Sequence, residues 1–250
     1  MKYRFYTTSE KAWKAMQGAI ASAQHSLYLE SYILTDDPLT HDFFEVLQRK
    51  AKEGVRVKII LDRIGLLWAG GIATKAFEDA GAEVLFFSHF TPFPRSTHRK
   101  ILIVDETKAF IGGVNVRGAY ARWIDLHLEV TGSGLVRQLL RSFARVYRLA
   151  GGKDSALLSL KKWRFSKTRS ALYRARSWLI ENWPLKGRSV LRHYYIRKCA
   201  EAKKSIVIVT PYFIPHRWLM QALEHAARRG VQIEVVLPEK TDVWIVTFAN

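Results

Sequence analysis

Apolar residues along this chain recur with two periods that take turns. In TTSEKAWKAMQGAIASAQ, Ala12, Trp13, Met16, Ala19, Ile20 and Ala23 fall at helical spacing. Thr7 and Glu10 fit a capping box, so a helix is predicted from Thr7. SLYLESYIL, Ser26 to Leu34, reads as a buried strand. THDFFEVLQRKAKEG then sets Phe43, Phe44, Leu47 and Ala51 on one helical face closed by Gly54, and VRVKIILD is the next strand. A helix to about Ala80, capped by Gly81, and a strand through AEVLFF continue the alternation. HRKILIVDETKAFIGGVN reads as a hairpin turning at Asp105 to Lys108, DLHLEVTG as one more strand, and LVRQLLRSFARVYRLAGG as an amphipathic helix ending at Gly151 and Gly152. Together these predict an α/β fold with a mixed β-sheet flanked by helices.

The pattern then restarts. EAKKSIVIVTPYFIP echoes SAQHSLYLESYILTD, and LMQALEHAARRGVQIEVVLP echoes FFEVLQRKAKEGVRVKIILD, with Leu223 answering Leu47 and Gly230 answering Gly54 at an offset of 176 residues. A repeat at this distance implies a duplicated lobe. The same offset carries His98 past Asn250, so the second lobe is expected to be incomplete and the chain a fragment of a longer one. The expected division is a first lobe over 1–152, a connector over 153–190 and the start of a second lobe over 191–250.

Charge and composition narrow the partners. The formal net charge is +18, 48% of residues are hydrophobic and eight are tryptophan, so the chain is a packed protein facing an anionic partner, nucleic acid or anionic membrane. Between Gly151 and Arg192 eleven basic residues face only Asp154 and Glu181, with Trp163, Trp178 and Trp183 among them. This stretch is either a solvated connector or a surface for membrane or phosphate. No apolar run reaches the length of a membrane span and the N-terminus has no signal-peptide layout. Cys199 is a lone cysteine, which excludes an internal disulfide and reads as a buried small apolar residue.

The chemistry concentrates in one stretch. Residues i and i+2 of a strand share a face, so His98 and Lys100 project together and Arg99 faces away. A histidine beside a fixed cation is a poor metal ligand but suits a phosphate, because the ammonium neutralises oxygen charge while the imidazole attacks phosphorus or moves a proton. Asp105 lies seven positions on, an odd number, and its place at the turn makes it a structural carboxylate. Gly112 and Gly113 let backbone approach a ligand, and Asn115 offers an amide to the same oxygens. Glu30 and Tyr32 share one face at the sheet's C-terminal edge, where Glu30 is either a cleft residue or part of a structural pair. Asp125 is either a surface strand aspartate or a functional carboxylate, and His127, on its face, either lines the cleft or does not. His25, His41, His89, His193, His216 and His225 show no zinc-type spacing, so no metal or other cofactor is expected.

His98-x-Lys100-x4-Asp105-x6-Gly112-Gly113-x-Asn115 resembles the signature of the phospholipase D superfamily, with every defining position filled. LESYILTDD, GVRVKIILDRIG, WIDLHLEVTG and VTPYFIP look most like bacterial cardiolipin synthases without N-terminal membrane spans. The resemblance implies two similar lobes sharing one cleft, with His98 as nucleophile forming a phosphohistidine, Lys100 and Asn115 holding phosphoryl oxygens, Asp105 within the catalytic set and Asp125 orienting His98. It implies a phosphatidyltransferase acting on phosphatidylglycerol, peripheral on the cytoplasmic face of the bacterial inner membrane. A chain ending at Asn250 lacks the second histidine and is expected to be inactive or nearly so alone. The alternatives are a nuclease or nucleic-acid phosphodiesterase of the same superfamily, and a non-catalytic binding protein on the same scaffold.

Overall fold

The computed structural model describes residues 2–69, 74–87, 89–90, 94–160, 179–181, 190–239 and 241. They divide into two units, Met1–Leu179 and Ile180–Asn250. The first unit runs β1 (Lys2–Thr8), α1 (Ser9–Ala21), β2 (Ser26–Ser31), α2 (His41–Lys52), β3 (Arg56–Asp62), α3 (Arg63–Ala69), α4 (Lys75–Asp79), β4 (Glu83–Phe87), the short pair β5 (His89–Phe90) and β6 (Pro94–Arg95), β7 (Ile101–Val104), β8 (Lys108–Gly112), β9 (Ile124–Thr131), α5 (Ser133–Leu149) and α6 (Ser155–Ser159). A seven-stranded sheet has the order β1-β9-β8-β7-β2-β3-β4. β2, β3 and β4 are parallel, while β2–β7, β7–β8, β8–β9 and β1–β9 are antiparallel. The sheet is mixed because the helical crossovers give way to a hairpin at β7.

Strand alternation divides the core between the two faces. Leu27, Leu29, Val57, Ile59, Leu61, Leu102, Val104 and Phe110 pack with Trp13, Met16 and Ile20 of α1 and Phe43, Phe44 and Leu47 of α2. On the other face Tyr28, Ile60, Ile101 and Ile103 are buried, as are Leu139, Leu140, Phe143 and Tyr147 of α5, and Tyr28 stacks on Phe143 at 5.4 Å. Lys58 of β3 pairs with Glu83 at 2.6 Å and with Asp154 at 3.1 Å, so the first unit continues past the Gly151–Gly152 pair into α6.

Several elements differ from the sequence expectation. Residues 2–8 form an edge strand, so α1 starts at Ser9, and its cap residue Thr8 makes no side-chain cap bond. The predicted box of Thr7 and Glu10 gives way to pairing of β1 with β9, in which Thr7 falls at the register shift between the paired residues Tyr6 and Thr8. The strand expected to reach Leu34 ends at Ser31, and the helix expected to reach Ala80 is two helices, α3 and α4. Most of the basic connector, with Trp163, Trp178 and Trp183, lies outside the described residues. No helix among the described residues is long and apolar enough to cross a membrane.

The second unit contains α7 (Val190–Glu201), β10 (Ser205–Val209), α8 (Arg217–Arg228) and β11 (Gln232–Val236). Cys199 is buried there. The sequence repeat returns here as backbone. β10 and β11 are parallel with Ser205 opposite Gln232, as Ser26 stands opposite Arg56 in β2 and β3. Gln232 donates to the Lys204 carbonyl as Arg56 donates to that of His25. Gly230 ends α8 at φ +85 as Gly54 ends α2 at φ +86, and Val231 and Val55 make the same closing bond, to Ala226 and Lys50.

Candidate active site

The site sits beyond the C-terminal ends of β2 and β3, where residues 96–100 form no regular element before β7 begins at Ile101. His98 and Lys100 lie together as their spacing predicts: Lys100 Nζ is 3.2 Å from His98 Nδ1 and donates to the His98 carbonyl at 2.9 Å. Tyr32 covers both, its ring 4.2 Å from the imidazole centroid and 4.9 Å below Lys100 Nζ. Tyr32 is itself fixed from behind, because a Cβ on Gly65 of α3 would fall 1.9 Å from its carbonyl oxygen. Glycine at 65 therefore lets α3 press against the Tyr32 backbone.

Charge and burial set both groups for nucleophilic chemistry. His98 is open to solvent on one side, yet the surrounding protein, followed by the Lys100 charge, brings its imidazole down to about 4. Lys100, 5% exposed, is brought down to about 8 by burial, against the pull of Asp125, Asp62 and Glu30. At neutral pH the imidazole is an uncharged base beside an ammonium. Nδ1 accepts from that ammonium, which leaves the ring proton on Nε2.

The far wall comes from β8 and β9. Trp13 of α1 donates to the Asn115 carbonyl at 2.9 Å, while Asn115 Oδ1 is buried with no partner among the described residues. The two glycines are contact points for β9: a Cβ at Gly112 would lie 2.2 Å from the Leu126 carbonyl oxygen, and one at Gly113 would lie 2.1 Å from Asp125 Oδ1. Burial raises Asp125 above the ordinary carboxylate value, against the Leu126 N–H and the Lys100 charge. Asp125 makes no hydrogen bond to His98, and its charge acts on Lys100 instead. His127 is 1% exposed and brought down to about 4 by burial and by Lys100, and neither of its ring nitrogens has a partner among the described residues. It is buried behind the site rather than on an open cleft wall. The His127 imidazole, unsatisfied and within the field of Lys100, leaves a polar group that a ligand can complete.

Two expected site residues are corrected. Asp105 stands at the opposite end of the sheet, at φ +47, where its carboxylate accepts from the backbone N–H groups of Gln24, His25 and Ser26 at 2.9, 2.7 and 2.8 Å. It holds the entry of β2 and takes no part in the site. Burial raises its carboxyl, but those three donors outweigh burial and hold it below the usual value. Asp105→Asn is expected to lower stability by about 2 kcal/mol at neutral pH, the scale of hydrogen bonds to a charged acceptor. Because a depressed carboxyl stabilises above its unfolded value and loses that effect as pH falls through its folded one, the gap should close in acid. Urea unfolding of both proteins at pH 7 and pH 3 checks this.

Glu30 is the second correction. It is 0% exposed and occupied, accepting from Thr97 Oγ1 at 2.6 Å, Arg99 Nε at 2.9 Å and Arg99 Nη2 at 2.7 Å, so of its two readings the structural pair holds. Arg99 continues to Ser142 of α5. Sequence reasoning missed Asp62, whose Oδ1 accepts from Ile64 and Gly65 at 2.9 and 3.0 Å and whose Oδ2 accepts from the Thr97 N–H at 2.6 Å. Its signal was a carboxylate closing an apolar run, as at Glu30. In the second unit the matching positions are Val209 and Pro238. Among the described residues no group of three or more His, Cys, Asp or Glu is placed to hold a metal.

The family profile described as "Cardiolipin synthase, PLD-like domain" matches residues 16–147 and 195–250. Cardiolipin synthase 2 of Bacillus cereus is 29% identical over 260 residues, covering 99% of this chain and 50% of that protein. Minor cardiolipin synthase ClsB of Bacillus subtilis is 27% identical over 243 residues, covering 91% and 57%. The chain thus spans about half the length of the curated relatives it matches. Phosphatidylserine synthase of Haemophilus influenzae shares the fold, with a TM-score of 0.64, 13% identity and coverage of 98% of this chain and 65% of that one.

Proposed function

The chain belongs to the family of cardiolipin synthase, PLD-like domains, and from that premise we propose that it supplies the nucleophilic lobe of a phosphatidyltransferase that moves a phosphatidyl group between phospholipid head groups. The observation that carries the reading is the uncharged His98 imidazole 3.2 Å from the Lys100 ammonium. Lys100 and the Asn115 amide take phosphoryl oxygens of phosphatidylglycerol. Lys100 thereby leaves Nδ1, the ring proton moves to that nitrogen, and Asp125 receives it as a hydrogen bond. Nε2 then attacks phosphorus: a P–N bond forms, the P–O bond to the glycerol head group breaks, and the leaving oxygen takes a proton from a second histidine that the resemblance assigns to a second lobe. The incoming lipid alcohol returns that proton as its oxygen displaces the imidazole. Gly112 and Gly113 let β9 approach closely beside Asp125, Tyr32 orders the two reacting side chains, and His127 lies behind them within the field of Lys100.

The net charge of +18 fits a protein held peripherally on an anionic leaflet, its cytoplasmic face, at about 1 kcal/mol per adjacent Lys or Arg. The same charge suits a nucleic-acid phosphodiesterase, so one assay separates the readings. Given labelled phosphatidylglycerol, the full-length protein is expected to form cardiolipin and to leave single-stranded DNA intact. Because His98 acts neutral while the second histidine and Lys100 act charged, kcat/KM should rise with pH through about 4 and fall at higher pH, first as the second histidine loses its proton and again above about 8 as Lys100 does. DNA cleavage without lipid turnover overturns the reading in favour of the nuclease.

A further inference from the structure

The segment that bears His98 lies outside the β ladder. β7 pairs with β2 only from Ile101, opposite Glu30, so no strand pairing fixes residues 97–100. Their anchorage comes instead from two fully buried carboxylates at the ends of neighbouring parallel strands, Glu30 of β2 and Asp62 of β3. Asp62 takes the backbone N–H of Thr97, and Glu30 takes its hydroxyl. Glu30 also takes the Arg99 guanidinium through two of its nitrogens, with Nε on Oε1 and Nη2 on Oε2. The residue before His98 and the residue after it are thus both held, while the imidazole turns to the opposite face toward Lys100 and Tyr32.

We infer that Glu30 and Asp62 form a clamp that positions the His98 imidazole by gripping Thr97 and Arg99 on either side of it. The inference rests on His98 being the attacking group. Neither carboxylate touches the reacting atoms, so both are positioning residues. The arrangement has a physical logic. A nucleophile on a free extended segment swings through several side-chain and backbone states, whereas one whose two neighbours are fixed keeps the alignment that attack needs. Asp62 adds α3 to the same assembly through the Ile64 and Gly65 N–H groups, and α3 in turn abuts Tyr32. Arg99 adds α5 through Ser142. The clamp ties the segment to α3 and to α5.

Thr97, buried to 7%, gives a test that leaves the carboxylates in place. Thr97→Ser keeps the hydroxyl and loses the methyl, and Thr97→Val keeps the shape and loses the hydroxyl. Measured on the full-length protein with labelled phosphatidylglycerol, Thr97→Val is expected to lower kcat about tenfold with KM within about twofold, since misplacement by a fraction of an ångström weakens attack more than binding. Thr97→Ser should stay within about twofold of wild type on both. In nitrogen-detected NMR, the His98 ring should give one sharp set of signals in wild type and Thr97→Ser, and a doubled or broadened set in Thr97→Val. A residue that serves packing alone gives the reverse order, with serine impaired and valine normal, and that result overturns the clamp. So does a valine protein with wild-type kcat and an unchanged ring spectrum. If wild type turns over no phospholipid, the functional reading fails by itself and the ring spectra alone decide the clamp.

Discussion

His98→Ala in the full-length protein is expected to abolish transfer of the phosphatidyl group, by about 10⁴-fold or more in kcat, the scale on which removal of a covalent nucleophile acts. Lys100 and Asn115 remain to hold the phosphodiester, so KM should change far less. The loss cannot pass for unfolding, because the His98 side chain is open to solvent on one side and its contacts are with Lys100 and Tyr32 rather than with the core. A circular dichroism melt within about 2 °C of wild type is expected alongside the loss of cardiolipin, since substitutions away from packed or paired positions shift stability by about 0.5 kcal/mol or less. A variant that retains more than about a tenth of wild-type kcat refutes the covalent mechanism, because general-base assistance alone is worth about 10² or more.

Glu30→Ala is expected to have the largest effect on stability, lowering it by about 3 to 5 kcal/mol. The carboxylate is fully buried and receives three hydrogen bonds, so its removal takes from the Thr97 hydroxyl and from Arg99, whose side chain is only 26% exposed, the charged acceptor they share, while Arg99 keeps its bond to Ser142. The melting temperature should fall by on the order of 10 °C. Glu30→Gln should fall between the two, since one amide oxygen still accepts while the amide nitrogen opposes the guanidinium. Double replacement by Glu30→Leu and Arg99→Met should recover part of the loss, because a buried ion pair removed whole costs far less than one broken. A shift of under 2 °C in Glu30→Ala would show that solvent, rather than the pair, satisfies these groups.

The alternating helix and strand pattern was legible because each element depends on its own residues. Phe43, Phe44 and Leu47 make a helical face wherever the chain goes. β1 was not legible, since KYRFYTT leaves Tyr3 and Phe5 largely exposed and becomes a strand by pairing with β9 more than a hundred residues away. The single helix read to Ala80 stands as two elements, α3 and α4, a division that its apolar spacing did not signal. Within the site, the two-residue period of an extended chain sufficed to place His98 with Lys100 and to turn Arg99 away. It could not name Arg99's partner, because the adjacency of Glu30 depends on which strands neighbour β7. For Asp105 the odd spacing argued correctly for a structural carboxylate, and counting it with the catalytic set carried it to the wrong end of the sheet. Asp125 stands near the site, but its link to His98 depends on a side-chain position that a sequence does not specify.

β2 and β7 are fastened to each other reciprocally: Asp105, just after β7, grips the entry of β2, and Glu30, near the exit of β2, grips the approach to β7. Apolar alternation alone forbids this pair to slide by one residue, which would turn every side chain over, but it tolerates a slide by two, which keeps oily positions facing oily ones. Two clasps at opposite ends remove that second freedom, since any even slip would unfasten both together. The strand pair is thereby keyed like a lock with two pins, and the imidazole inherits its place from the key.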